Sequence, residues 1–183
     1  QLWQRYIVVT GLANMLVVDQ RAAHERILFE SMMKDLASHN AATQKLLWPE
    51  TIQSSTADAA VLRELVPHLQ TLGFDIAEFG HDTFIIHGIP AIMTDLISPQ
   101  QAIEDILDRF KEGHQMMEMK PVEKIAFVMA SNLSRRRGEI MTTEEMQSLI
   151  EQLMASDNPY ASPSGRKTFI TFGKEEILKR FQS

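Results

Sequence analysis

The chain has no cysteine. Disulfides, thiolate catalysis and every zinc site that uses cysteine are therefore excluded. It also has no apolar run of the length a membrane-spanning helix requires. The opening Gln1-Leu2-Trp3-Gln4 lacks the charged and then apolar pattern of a signal peptide. An opening glutamine is instead expected of a piece cut from a longer chain. There is no internal repeat and no low-complexity tract.

What is present suits one domain, or a domain with a subdomain inserted: 183 residues, 44% of them apolar. The net charge of −6 is unevenly spread. Residues 44–118 carry 12 acidic against 4 basic side chains, residues 1–43 carry 4 of each, and residues 119–183 carry 8 against 10. An acidic middle repels phosphate, which argues against DNA binding there.

Periodicity gives the element order. Tyr6–Thr10 and Met15–Val18 read as strands joined by a Gly11-Leu12-Ala13-Asn14 turn. Asp19 reads as the N-cap of a helix from Arg21 to about Ala37. Leu46–Ile52 is a strand in which Pro49 marks an edge or a bulge. Ala57–Leu72 follows as a helix that Pro67 should kink, with Gly73 beyond its end. Strands over Asp75–Phe79 and Thr83–Ile89 come next, then a helix opened by Ser98-Pro99 and stopped at Gly113. The order β-α-β-β-α from Leu46 predicts a small two-layer subdomain. Pro121 opens an amphipathic helix that closes at Gly138, and Thr142-Thr143-Glu144-Glu145 is a capping box for another. A Ser- and Pro-rich loop over Ser156–Ser164, a strand over Thr168–Phe172 and a helix over Lys174–Phe181 complete the chain.

The densest chemistry lies in Asp19-Gln20-Arg21-Ala22-Ala23-His24-Glu25-Arg26-Ile27-Leu28-Phe29-Glu30. This stretch resembles the signature helix of the MutL mismatch-repair C-terminal domain, which reads Asp-Gln-His-Ala-x-x-Glu-x-x-x-x-Glu. Gly73-Phe74-Asp75-Ile76, Phe79-Gly80, Ile89-Pro90-Ala91, Asn158-Pro159-Tyr160 and Pro163-x-Gly165-Arg166 are similar to later family segments in the same order. The resemblance implies an α+β fold with a discontinuous dimerisation subdomain, residues 1–43 and 119–183, and an inserted regulatory subdomain, residues 44–118. It implies a homodimer that couples mismatch recognition to strand removal, joined to an ATP-binding N-terminal ATPase. It further implies partnership with a sliding clamp and a mismatch-recognition protein, contact with DNA through the full-length protein, and a cytoplasmic setting near the nucleoid.

Many family members nick DNA at a metal site built from a helix His and Glu, a later Cys and a Cys-Pro-His-Gly-Arg-Pro loop. On this chain those positions fall at Arg21, Glu25, Ser131, Ser162 and Ser164. Arginine has no lone pair to donate and stays cationic, and serine is a poor ligand for Zn²⁺ or Mn²⁺. The site is expected to be degenerate, with no resident metal and no competent endonuclease in this domain. Arg21 and Glu25 would then form a surface ion pair worth about 0.2–0.5 kcal/mol. The alternative is a carboxylate-only Mg²⁺ or Mn²⁺ nicking site using Asp19, Glu25 and Glu30.

Gln44-Lys45-Leu46-Leu47-Trp48-Pro49 resembles the family's clamp contact, which makes Gln44, Leu46, Leu47 and Pro49 candidate binding residues. A buried edge strand that packs Leu46, Leu47 and Trp48 accounts for the same letters equally well. Arg135-Arg136-Arg137 suits a helix C-terminus as well as a phosphate. The histidines His81, His87 and His114 show no ligand spacing, and the 11 methionines read as packing.

Overall fold

The computed structural model describes residues 1–11, 14–93, 97–112, 119–134 and 139–182. The turn residues Leu12 and Ala13, the stop signals Gly113 and Gly138, His114 and the Arg135-Arg136-Arg137 run lie outside them. The fold is α+β: two three-stranded antiparallel sheets and, among the described residues, six α-helices. The chain forms two compact units, Gln1–Glu30 with Ser134–Ser183, and Ser31–Leu133.

In the first unit β1 (Tyr6–Thr10) pairs with β2 (Asn14–Asp19), and β2 pairs with β6 (Phe169–Gly173). Side chains alternate between faces along a strand. Ile7, Val9, Leu16, Val18 and Phe169 thus share one face, which packs on Ala23 and Ile27 of α1 (Gln20–Ser38) and on Leu149 and Leu153 of α5 (Thr143–Met154). Helix α5 starts with the expected capping box, Thr142 and Glu145 each satisfying the other's backbone N–H. Helix α6 (Lys174–Arg180) follows β6 directly.

The second unit holds a sheet of order β3-β5-β4: β3 (Thr43–Gln53), β4 (Asp75–Glu78) and the central β5 (Thr83–Pro90). Its apolar face, with Ile52, Ile76, Phe84 and Ile86, is buried with α2 (Thr56–Thr71), α3 (Pro99–Glu112) and α4 (Pro121–Leu133). Leu62, Leu69, Ile103, Ile106 and Ile125 are fully enclosed there. Helix α2 is capped by the Ser55 side chain and runs through Pro67 as one element. Gly73 takes the left-handed conformation just past its end, at a φ of 97°.

The unit boundaries differ from cuts at 43 and 118. The first falls within α1, whose last residues group with the middle of the chain. The second falls after α4, because that helix packs on α2 and α3. An amphipathic stripe states that a helix has a buried face, but not which neighbour covers it.

Candidate functional site

Asp19 ends β2 and caps α1: its Oδ1 accepts from the N–H groups of Arg21 at 3.1 Å and Ala22 at 3.0 Å. Its Oδ2 lies 3.5 Å from Arg5. Glu30, at the far end of the same stretch, is also held by backbone. It accepts from Asp157 N at 2.8 Å and Asn158 N at 3.1 Å, with Arg26 at 3.6 Å. Arg26 Nε donates to Ala161 O at 2.6 Å. The first turns of α1 therefore grip a loop some 130 residues later.

Glu25 lies between these contacts. Its side chain is fully enclosed, and Oε2 is paired with Arg166 Nη2. Its Oε1 is buried with no hydrogen-bond partner among the described residues. Arg166 reaches Glu25 from a tight turn in which Gly165 N donates to Ser162 O at 2.9 Å and Ser162 N to Arg166 O at 2.8 Å. Gly165 has a φ of 78°, a conformation that needs glycine. Arg166 Nε also donates to Ser164 Oγ at 3.0 Å, and Ser164 Oγ is 2.7 Å from the buried Ser162 Oγ.

The structure thus brings together four residues that the sequence singled out, Glu25, Glu30, Ser162 and Ser164, and adds two that it did not, Arg26 and Arg166. Arg166 belongs to the Pro163-x-Gly165-Arg166 segment, whose letters carry the resemblance but give the arginine no role. Ser131 sits in α4, in the other compact unit. The expected surface pair of Arg21 with Glu25 needs correction. Glu25 is not at the surface, and the cation on its Oε2 comes from Arg166. Burial of α1 beneath the late loop is a tertiary fact that i, i+4 spacing does not contain.

These side chains do not fit the family's metal ion. Two hydroxyls bonded to each other offer neither soft nor imidazole donors. A guanidinium already occupies one carboxylate oxygen. A cation placed about 4 Å from that guanidinium would meet a repulsion of about 4 kcal/mol per unit charge at an effective dielectric of ~20.

The clamp-like segment lies on β3, an edge strand of the second unit. Its register against β5 runs from Lys45↔Gly88 to Glu50↔Ile86, so residues 46–49 form a bulge. Leu47 is 93% and Trp48 83% exposed, while Leu46 is half-buried and Gln44 and Pro49 are exposed. Packing within the unit explains Leu46 in part and does not explain Leu47 or Trp48. His81 and His87 are both exposed, and His81 Nδ1 is 3.1 Å from Asp82. No helix among the described residues is long and apolar enough to cross a membrane.

Fold and clasp together define an α+β module whose charged helix serves its own late loop. Residues 1–141 match the family model described as the MutL C terminal dimerisation domain, and the chain belongs to that family. It is similar to the DNA mismatch repair protein MutL of Parabacteroides distasonis, 33% identical over 178 residues that cover 97% of this chain and 29% of the relative. The MutL of Flavobacterium johnsoniae is 33% identical over 181 residues, covering 99% and 28%. That of Halothermothrix orenii is 28% identical over 180 residues, covering 98% and 28%. The chain therefore spans less than a third of the length of these relatives.

Proposed function

We propose that this chain is the self-associating module of a MutL-type mismatch-repair protein, with a clamp contact on its second unit and an endonuclease metal site that has been lost. One observation carries the reading: the outer face of the β1-β2-β6 sheet is apolar and, among the described residues, only partly covered, with Ile170 exposed and Val8, Met15, Val17 and Phe172 half-buried. Val8, Val17 and Ile170 stand in one row across the three strands, and Met15 and Phe172 in the next. All five lie on the face opposite the core, and Ile170 is 44% exposed. Leu178 and Phe181, on and just after α6, add exposures of 48% and 86%. A second copy presenting the same rows about a two-fold axis would remove this surface from water. The family's description as a dimerisation domain supports that occupant.

Pairing of this kind holds two copies of any attached domain at high local concentration. In a full-length MutL-type protein those would be ATP-binding N-terminal domains, and their closure would couple mismatch recognition to strand removal. On this reading the partners are a second copy, a sliding clamp, a mismatch-recognition protein, and DNA through the whole protein, in the bacterial cytoplasm and without a cofactor in the module. The exposure of Leu47 and Trp48 supports the clamp contact. The second reading, Mn²⁺- or Mg²⁺-dependent nicking by Asp19, Glu25 and Glu30, has only the presence of the three carboxylates in its favour. All three are engaged by the protein itself.

Analytical ultracentrifugation tests the first reading. The chain is expected to sediment as a dimer at micromolar concentration, and Val17→Glu or Ile170→Glu as a folded monomer. A wild-type monomer overturns the proposal. Nicking of supercoiled DNA with Mn²⁺, abolished by Glu25→Gln, would establish the second reading in place of the lost site.

A further inference from the structure

The loss of the metal ligands leaves a question: what neutralises the Glu25 carboxylate, which is enclosed completely. A bare carboxylate in such a place is strongly unfavourable, and a divalent ion is one way to offset it. We propose that Arg166, an arginine that the metal-binding loop pattern also carries, is sufficient here to neutralise Glu25, so that the loop over residues 157–166 closes on α1 without any metal. The inference rests on the lost-site reading and goes beyond it by naming the cation that neutralises Glu25 without an ion.

Three observations carry it. The guanidinium contacts two of the former ligand positions at once, Glu25 directly and Ser164 through Nε at 3.0 Å. A planar fork with several donors and a permanent charge can do this, whereas a compact ammonium cannot. Ser162 and Ser164, which replace ligands in the resemblance, are joined to each other by a 2.7 Å hydrogen bond and thereby extend the same network. A hydroxyl can donate and accept together, so Ser162 and Ser164 suit a hydrogen-bonded chain better than they suit coordination. The loop's other attachments, Glu30 to Asp157 and Asn158 and Arg26 to Ala161, need no ion either. Apart from the Ser162–Ser164 hydroxyl pair, the clasp is thus made of charge-assisted hydrogen bonds.

Thermal unfolding and amide exchange of this chain, each with EDTA, ZnCl₂ or MnCl₂, test the proposal. The wild type is expected to keep one melting temperature in all three. Arg166→Ala is expected to melt roughly 5–15 °C lower, with exchange at Ser162 and Gly165 accelerated on the order of tenfold or more. Arg166→Lys should recover part of the loss. Glu25→Gln/Arg166→Ala should recover more than Arg166→Ala alone, because the buried charge has gone along with its partner. That recovery separates charge neutralisation from packing, and it can be read even if Arg166→Ala fails to fold. Wild-type melting and exchange in Arg166→Ala, or a double variant no better than the single, overturns the role of Arg166 and leaves the lost-site reading intact. A wild-type melting temperature that rises with Zn²⁺ or Mn²⁺ and falls with EDTA overturns both.

Discussion

Lys45 and Asp75 form an ion pair across the central strand of the second sheet, above Gly88, which is the register partner of both. The two edge strands approach β5 closely there. A Cβ on Gly88 would lie 2.6 Å from Thr43 Cγ2, 3.0 Å from the Gln44 carbonyl oxygen and 3.3 Å from Asp75 Cβ. Gly88→Ala is therefore expected to push β3 outward beside Gln44, at a stability loss of about 1–3 kcal/mol. Chemical denaturation measures the loss. Clamp affinity should fall with it, although every residue of the motif is intact.

The bulge itself gives a complementary case. Leu47→Ala and Trp48→Ala remove side chains that face water, so unfolding free energies should stay within about 0.5 kcal/mol of wild type. Binding to a sliding clamp, followed by surface plasmon resonance, should weaken at least tenfold in the double variant. Unchanged affinity would end the clamp reading and leave two exposed apolar groups without a role.

Asp19 is a cap before it is a candidate ligand. Asp19→Ala should cost about 0.5–2 kcal/mol, and Asp19→Asn distinctly less, since Asn caps as well as Asp. Circular dichroism melts would show this order. Loss of nicking in Asp19→Ala counts toward the metal alternative only if Asp19→Asn loses it too at a temperature where both are folded.

Acid should act on the second unit through two surface pairs. The Lys111 ammonium, 2.6 Å from Asp58, holds that carboxyl below its usual range, and Arg63 does the same for Glu78. A carboxyl lowered on folding stabilises the fold above its unfolded value, and that contribution fades as pH falls through the folded value. The melting temperature should thus decline below the ordinary carboxylate range, and Lys111→Ala should flatten the decline. Because these groups are exposed, added salt should shrink the effect.

Local signals stated most of the elements. Thr142-Thr143-Glu144-Glu145 announced α5, Asp19 announced α1, and Pro49 announced the bulge in β3, because caps and proline act within a few residues. Pro67 lies inside α2, which continues through it as one element. The assignment of α4 to the second unit and the burial of Glu25 were not legible, since both depend on partners far along the chain. The pairing of Arg166 with Glu25 was not legible for the same reason. The Pro163-x-Gly165-Arg166 letters give the arginine no role, and only the folded loop shows a guanidinium against the Glu25 carboxylate.

The chain's two indoles, Trp3 and Trp48, are 82% and 83% exposed and lie in different compact units. Both should emit at long wavelength and be quenched readily by acrylamide. Trp3→Phe would leave Trp48 as a single intrinsic reporter on the bulge. Docking of a clamp there should turn its emission blue and shield it from quencher, so that binding can be followed without an attached dye.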